Sequence, residues 1–103
     1  MKEFKVIMPI NNNQGIKYNE NIFDTFEKQL RNSFGGFTLE KSNVLGQWSD
    51  ENKKIYIDES KVYYIAMEQK QFNKLTFILK VINKQMKQKT FYVAEVSSNV
   101  MFI

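Results

Sequence analysis

The feature that most constrains the fold is an alternation between two kinds of hydrophobic periodicity along the chain. Two segments repeat apolar residues at helical spacing, and segments rich in β-branched and aromatic residues surround them. The predicted order is strand, helix, strand, strand, helix, strand. This order is typical of the ferredoxin-like βαββαβ two-layer sandwich, an α+β fold in which an antiparallel sheet carries two helices on one face. The predicted helical stripes consist of Ile22, Phe23, Phe26, Leu30 and Phe34, and of Phe72, Leu75, Ile78, Leu79, Ile82 and Met86.

One domain of this kind accounts for the whole chain. The sequence has 103 residues, of which 43% are hydrophobic and 15% are aromatic, and this is enough apolar bulk for one core. We therefore expect a single ferredoxin-like domain over residues 1–103. The predicted strands are FKVIMPI, FTLE, NVLGQW, KIYIDESKVYYIAM and TFYVAEV, and we expect the apolar final residues VMFI to pack into the sheet.

Polar residues mark the expected irregularities of the sheet. The segment SDENK at Ser49–Lys53 predicts a turn between two antiparallel strands. A second turn or kink is predicted at Ser97–Asn99. Asp58–Ser60 interrupts the alternation of the strand that contains it, and this predicts a bulge.

The glycine-rich segment that follows the first predicted helix is a structural joint. A phosphate-binding loop needs its glycines immediately before a helix, where backbone N–H groups face the anion. Gly35 instead occupies the position at which a helix ends in a left-handed residue, and Gly36 releases the chain into a strand. Asn21, with Asp24 three residues later, predicts the start of this helix. Gly46 indicates a bulge or close packing against an aromatic ring.

The absence of Cys and His limits the chemistry of the chain. Thiol nucleophiles, imidazole bases, thiolate metal sites and Ser-His-Asp triads are all excluded. The acidic pairs Asp50–Glu51 and Asp58–Glu59 do not converge by themselves, because adjacent strand residues face opposite sides of a sheet. We therefore expect no enzyme, no cofactor and no metal site. An enzyme that used only carboxylates, Tyr and Lys would need a deep pocket in which these groups converge, and we expect none.

Two groups of strand residues are candidates for a surface role. Glu59 and Lys61 share a strand face, and they predict an exposed ion pair worth about 0–1 kcal/mol, with Lys61 guarding a sheet edge. Adjacent tyrosines on a strand face opposite ways, so one of the pair Tyr63 and Tyr64 is expected to leave the core. Such a ring could stack a base or anchor a protein partner, as could other strand tyrosines, although packing in the core is the commoner role. These other strand tyrosines are Tyr56 and Tyr92.

The second predicted helix carries the most unusual charge pattern. No acidic residue lies between Glu68 and Glu95, and the lysines fall opposite the apolar stripe. Phe77 and Val81 fall among them. Such a face attracts phosphates or an acidic protein, and a purely solvated lysine face is an equally weighted interpretation. The candidate partner-binding residues are Lys70, Lys74, Phe77, Lys80, Val81, Lys84 and Lys87.

These observations favour a small non-enzymatic binding or accessory protein that acts through protein–protein contacts, with a second copy of the chain as one partner. The alternative is nucleic-acid binding through the basic second helix or through the hairpin that carries Trp48, Lys53 and Lys54, since the net charge is +4. That alternative predicts affinity that falls steeply with salt.

The expected location is the cytoplasm, because no leader is visible and no run of apolar residues approaches the roughly 20 that span a membrane. A mobile genetic element is a reasonable source of a short Lys-, Asn- and Ile-rich chain. An AT-rich genome explains the same composition at least as well.

Several short motifs resemble those of an uncharacterised family of small bacterial proteins, a domain of unknown function. They are the helix with Phe23, Phe26 and Leu30, then FGGFT, GQW and ESKV, and a closing V-x-F formed by Val100 and Phe102. The resemblance spans roughly residue 22 to the C-terminus. The FGGF turn replaces the Phe-Pro-x-Gly turn usual in that family. The resemblance implies a shape and brings no activity or catalytic residue with it.

Overall fold

Five strands and two long helices form the protein in a computed structural model that describes residues 1–97 and 100–103. The predicted α+β ferredoxin-like architecture is confirmed, with an antiparallel sheet and both helices packed on one face. The elements are β1 (Lys2–Pro9), α1 (Glu20–Phe34), β2 (Thr38–Leu39), β3 (Val44–Ser49), β4 (Ile55–Met67), a 3-10 turn (Gln69–Gln71), α2 (Phe72–Met86) and β5 (Tyr92–Ser97).

The sheet is organised around the long strand β4. Its strand order is β2-β4-β1-β5. Strand β3 pairs with the N-terminal half of β4, and β2 pairs with a later part of β4 on the same edge. All pairings are antiparallel. The bulge predicted at Asp58–Ser60 is wrong, because β3 and β4 pair in unbroken register through these residues. An irregularity occurs instead where β1 pairs with β5, between Glu3 and Phe4.

The core lies between the helices and one face of the sheet. Both predicted helical stripes are confirmed, although Phe34 and Phe72 lie at its margin and are only partly buried. Tyr63 is fully buried and meets Phe26 edge to face, with ring centroids 5.0 Å apart. The strand residues that complete this core are Phe4, Val6 and Met8 of β1 and Tyr63, Ile65 and Met67 of β4.

The ends of α1 show how local chemistry sets its bounds. The helix begins two residues earlier than predicted, because the side chain of Asn19, rather than Asn21, accepts a hydrogen bond from the Asn21 N–H at 2.9 Å. Gly35 ends the helix as predicted. It adopts a left-handed conformation with φ 85°, and its N–H donates to the Arg31 carbonyl at 3.0 Å.

The chain beyond β5 does not join the sheet as predicted. Val100 is partly buried, and its N–H donates to the Met1 carbonyl at 2.8 Å. The last three residues are exposed and belong to no strand, so the expected packing of VMFI is wrong. The turn predicted at Ser97–Asn99 falls mainly on residues 98 and 99, which lie outside the described residues.

Candidate interaction surfaces

A two-stranded ribbon projects from the two-layer body. We define the hairpin ribbon as β3 together with Ile55–Glu59 of β4; it contains no buried residue, and burial in β4 begins at Ser60. Six paired residues at about 3.3 Å each make such a ribbon roughly 20 Å long. The extents of the molecule, 46 × 26 × 25 Å, reflect this elongation.

Large apolar side chains cover the hairpin ribbon on both faces. Leu45, Ile55 and Ile57 are 74%, 65% and 64% exposed. Because side chains alternate along a strand, these three lie on the same sheet face that the helices cover in the C-terminal half of β4. On the opposite face Trp48 is 53% exposed, beside Tyr56 on the neighbouring strand. A contiguous apolar surface of this kind marks an interaction site more often than solvent contact.

The hairpin ribbon also has open backbone edges. β1 pairs with β4 only from Ser60 onward, and β2 contacts β4 at Tyr63 and Tyr64. Within the described residues, β3 and the segment Ile55–Asp58 therefore have each other as their only strand partners, while the Glu59 carbonyl also accepts from the Ile10 N–H at 2.9 Å. Strand β5, at the far edge of the sheet, likewise pairs on one side only. Open edges of this kind are sites where another strand can add.

The tip of the hairpin ribbon is a hydrogen-bonded turn that includes both predicted lysines. The Asp50 side chain accepts hydrogen bonds from the N–H groups of Asn52 and Lys54, both at 2.9 Å. Lys53 adopts a left-handed conformation with φ 63°. The ammonium of Lys54 lies 5.1 Å from the centre of the Tyr56 ring. Both lysines thus contribute to the conformation of the turn as well as to its positive charge.

Trp48 leans back over Gly46 on its own strand. A Cβ atom at Gly46 would lie 3.1 Å from the indole nitrogen of Trp48, so a larger residue would displace the ring. Close packing against an aromatic ring, one of the two interpretations of this glycine, is confirmed. The Trp48 ring therefore packs on the backbone of Gly46 while more than half of its surface faces outward.

The face of the sheet that the helices leave uncovered contains an open groove of about 960 Å³, which we call the open-face groove. Its walls include four aromatic residues and the carboxylates of Asp50 and Asp58. The aromatic residues are Trp48, Tyr56, Phe91 and Tyr92. The Tyr56 hydroxyl donates to the Asp50 carboxylate at 3.4 Å. Tyr and acid side chains therefore come together here in an open groove, whereas the expectation from the sequence concerned a deep pocket. The buried residue Ser60 also lines this groove.

The adjacent tyrosines face opposite ways, as predicted. Burial of the Tyr63 ring, strengthened by a 2.7 Å hydrogen bond that its hydroxyl donates to Glu27, raises the pKa of Tyr63 well above its ordinary value. Tyr64 lies on the other face, where a hydrogen bond to Glu40 raises its pKa. Tyr63 is thus a core residue, and Tyr64 belongs to the open side of the sheet.

The predicted ion pair between Glu59 and Lys61 does not form. The Lys61 ammonium lies 3.9 Å from the Glu20 carboxylate and 4.7 Å from the centre of the Phe23 ring. Glu59 accepts from the side chain of Asn43 at 3.2 Å. Lys61 pairs with Met8 on one side, and on the other side it lies between Ser60, which pairs with β3, and Tyr63, which pairs with β2. Its role is to cover the first turn of α1.

The basic residues of α2 lie where the sequence predicts. At about 100° per residue, Lys74, Lys80, Lys84 and Val81 fall within roughly 60° of Phe77, opposite the buried stripe. Phe77 is 65% exposed and Val81 is 46% exposed. The ion pairs among the described residues are Lys2–Glu95 and Lys61–Glu20, and neither involves this helix.

The two remaining candidate lysines flank α2 rather than lying within it. Lys70 belongs to the 3-10 turn that precedes the helix. Lys87 ends the helix in a left-handed conformation with φ 55°, and its N–H donates to the Asn83 carbonyl. The backbone of Lys87 therefore has a structural role that the charge pattern did not reveal.

Phe77 and Val81 border a second, smaller groove between α1 and α2. This helix groove has a volume of about 290 Å³ and is mostly apolar. The sequence indicated its α2 wall but not its α1 wall, because helical periodicity does not say which two helices become neighbours. The residues that line it include Ile22, Thr25, Gln29 and Ser33 of α1 and Lys74, Phe77, Ile78 and Val81 of α2.

A polar cluster that the sequence did not predict fixes the connection between α2 and β5. Tyr18 donates to the Met86 carbonyl at 2.7 Å, and the Gln88 side chain donates to the Tyr18 hydroxyl at 2.6 Å. Asn83 and Gln88 exchange two further hydrogen bonds. Tyr18 and Gln88 are 70 positions apart in the chain, so no local pattern could have indicated their contact.

Two other kinds of site have no candidate in the part of the chain that the structure describes. Within residues 1–97 and 100–103, no helix is long and apolar enough to cross a membrane. No three acidic side chains of these same residues come together as ligands for a metal ion.

Comparisons with known proteins show a fold and no family. No protein-family model and no curated protein matches the sequence. The resemblance to an uncharacterised bacterial family therefore stays a prediction. Solved structures do match, at sequence identities so low that they establish the fold alone.

The similar solved structures include divalent cation tolerance proteins. The CutA1 protein of Thermus thermophilus matches with a TM-score of 0.67 at 8% identity, over 98% of this chain and 86% of that one. A variant of CutA1 from Pyrococcus horikoshii gives 0.62 at 10% identity, over 99% and 87%. A phage SAM lyase in complex with S-methyl-5'-thioadenosine gives 0.61 at 15% identity, over 92% and 79%.

Proposed function

We propose that this chain is a non-enzymatic binding protein that acts through protein–protein contacts, and that its first partner is a further copy of itself. The observation that carries the proposal is the hairpin ribbon, with Leu45, Ile55 and Ile57 each about two-thirds or more exposed. In the single chain, the residues that the structure describes leave most of the surface of these three side chains uncovered.

The physical reason is that such a ribbon is poorly stable alone. A two-stranded hairpin in water is marginal without a covered apolar face or further strands. A second copy supplies a further strand, because β5 has an open edge. It also supplies apolar cover, because Tyr92 on its uncovered sheet face is 49% exposed. Burial of apolar area contributes about 25 cal/mol per Å² to such an association.

The proposal is tested by measuring the mass of the particle in solution. We expect the purified chain to sediment as a defined oligomer at micromolar concentration, and the double variant Leu45→Ser, Ile57→Ser to sediment as a monomer. Circular dichroism of the variant should keep its helical signal, since neither side chain is buried in the core.

A matched control removes an equally exposed apolar side chain elsewhere. Ile16 is 64% exposed in the connection between β1 and α1. Ile16→Ser should leave the oligomer unchanged. A monomeric wild-type chain, or an oligomer that the double variant retains, would contradict self-association through the hairpin ribbon.

A second candidate function is the binding of a nucleoside-like small molecule in the open-face groove. The groove joins aromatic rings, which can stack on a base, to the carboxylate of Asp58, which can accept hydrogen bonds from hydroxyl groups. The similar phage SAM lyase holds S-methyl-5'-thioadenosine. This candidate is supported by the groove and by that likeness of fold.

The second candidate is tested by titrating S-methyl-5'-thioadenosine into the purified chain. Trp48 fluorescence and calorimetry should report saturable binding, and Asp58→Asn should weaken it. Consumption of SAM by the purified protein would contradict the non-enzymatic part of the first proposal. Absence of both binding and turnover would remove this candidate and leave self-association untouched.

Nucleic-acid binding through α2 or the Trp48 hairpin stays a prediction without support from the comparisons. The hairpin lysines belong to a turn that also contains Asp50 and Glu51. Affinity for a 20-mer oligonucleotide at low salt, lost as salt increases, would be the observation in its favour.

A further inference from the structure

We infer that the helix groove binds an acidic amphipathic helix of a partner protein. Its volume of about 290 Å³ lies at the lower end of pockets that take a drug-sized molecule. A space of this size suits a few apolar side chains. Recognition of an amphipathic helix uses anchors at i, i+3 or i+4, and i+7, laid into such a groove.

The walls of the groove supply contact for these anchors. Ile22 and Ile78 form its floor and are almost completely buried, while Phe77 and Val81 stand at its rim with 65% and 46% exposure. The partly exposed rim side chains can close over an inserted residue. Burial of Phe77 in a complex would remove most of an aromatic side chain from water, which is typical of an interface hot spot.

The charges around the groove select an acidic partner. Lys74 lines the groove, and Lys80 and Lys84 lie on the α2 surface next to Phe77. No acidic residue occurs in α2, and its lysines take part in neither of the ion pairs formed among the described residues. A helix with apolar anchors flanked by Glu or Asp would place its carboxylates beside these unneutralised ammonium groups.

A protein helix fits this surface better than a nucleic acid does. The centre of the basic face is apolar, and the opposite wall of the groove contributes the neutral side chains of Thr25, Gln29 and Ser33. The groove shares no residue with the hairpin ribbon, so this inference stands apart from self-association.

The test uses a labelled synthetic peptide of about 18 residues, or five helical turns, with Leu at i, i+3, i+4 and i+7 and Glu elsewhere. A matched peptide carries Lys in place of Glu. Fluorescence anisotropy at physiological salt should show binding of the acidic peptide and at least about tenfold weaker binding of the basic one. Backbone NMR shifts should locate the acidic peptide between α1 and α2.

Variants of the chain assign the contact to the groove. Phe77→Glu should weaken binding of the acidic peptide by about tenfold or more, and Lys74→Glu by about threefold or more. Phe77 is exposed, so both variants should fold, which circular dichroism checks. Ile16→Ser and Lys41→Glu are the controls, since both side chains are exposed and lie outside the groove.

Any one of five results would overturn the inference. The first three are equal affinity for the two peptides, unchanged affinity in Phe77→Glu, and NMR shifts confined to the hairpin ribbon or to the open-face groove. Displacement of the acidic peptide by a 20-mer oligonucleotide at physiological salt would also overturn it, because the surface would then prefer phosphate. Absence of any binding up to millimolar peptide would do the same.

Discussion

At the scale of single residues, Tyr63 joins the sheet to the first helix. Its ring contacts Phe26 and Phe37, with centroids 5.0 Å and 5.5 Å away, and its hydroxyl donates to Glu27 of α1. The neutral phenol is the form that this environment favours, because burial and the Glu27 carboxylate both raise the pKa of Tyr63. One residue therefore serves packing, hydrogen bonding and helix attachment together.

The Tyr63→Phe variant should lose about 1–2 kcal/mol of unfolding free energy at neutral pH, since a hydrogen bond to a charged group is removed while the ring remains. The raised pKa gives a second signature. The contribution of Tyr63 to the unfolding free energy is fully present below pH 10, which is about the pKa of the phenol in the unfolded chain. Above that pH the unfolded chain ionises first, so the unfolding free energy falls by up to about 1.4 kcal/mol per pH unit.

Urea unfolding at pH 7, 10 and 11 measures both effects. Wild type should lose more stability than Tyr63→Phe between pH 10 and pH 11. Parallel losses in the two proteins would show that the Tyr63 phenol titrates normally and that the hydrogen bond to Glu27 does not persist in solution.

At Lys87, the effect of the backbone conformation on stability can be measured separately from the effect of the side-chain charge. Its left-handed conformation, φ 55° and ψ 38°, costs roughly 1 kcal/mol for a residue with a Cβ. Lys87→Gly should therefore raise the unfolding free energy by about 0.5–1 kcal/mol. Thermal denaturation measures this change. Lys84→Gly, within the helix, is the comparison and should destabilise by about 1 kcal/mol. A stability loss in Lys87→Gly would contradict the proposed strain.

At the scale of elements, periodicity predicted the helices better than the strands. The apolar stripes of α1 and α2 were visible because each side chain that packs on the sheet recurs every three or four residues. The start of α1 was missed because Asn19 and Asn21 are chemically the same cap, and only the turn of the chain selects one of them. The bulge at Asp58–Ser60 was wrongly predicted because the polar residues there break the apolar alternation without breaking the register.

The candidate surfaces were predicted in part, for a related reason. The lysines, Phe77 and Val81 were found from α2 alone, because a helix shows its exposed face in its own sequence. The second wall of the helix groove depends on how α1 packs beside α2. The hairpin ribbon depends on where the helices stop covering β4. The packing of α1 beside α2 and the extent of helix cover on β4 cannot be predicted from one local segment. Leu45, Ile55 and Ile57 were therefore not recognised as exposed.

The turn at the tip of the hairpin ribbon should control how easily that element opens. Asp50→Ala removes the acceptor for two backbone N–H groups and should speed amide hydrogen exchange across residues 44–60 in dilute, monomeric protein. Core amides of β1 and α2 should exchange as before, because local opening and global unfolding differ in free energy.

A second turn of the same construction is the control for that experiment. The Asn12 side chain accepts from the N–H groups of Gln14 and Ile16, both at 2.9 Å. Asn12→Ala should loosen residues 11–17 and leave the hairpin ribbon unchanged. Faster exchange throughout the chain in Asp50→Ala would show instead that the ribbon and the core unfold as one unit.

At the scale of the whole molecule, the proposed self-association predicts a stability that depends on protein concentration. Copies that bind only when folded stabilise the folded state by mass action. The melting temperature of wild type should therefore rise between about 1 and 100 μM, by a few degrees for each kcal/mol of added stability in a domain of this size. Differential scanning calorimetry measures this shift.

The monomeric double variant should lack this dependence. Leu45→Ser, Ile57→Ser should melt at one temperature at every concentration, below the wild type at 100 μM. A wild-type melting temperature that stays constant over the same range would mean that the exposed ribbon contributes nothing to the stability of the folded chain.

Trp48 is the only tryptophan of the sequence, and it lies on the hairpin ribbon rather than in the core. The intrinsic emission of this protein is therefore a built-in reporter of docking instead of folding. Its spectrum should shift when a neighbour covers the indole, and in dilute monomeric protein it should respond less to melting than a buried core tryptophan would. An optical assay that normally follows denaturation would therefore follow recognition here.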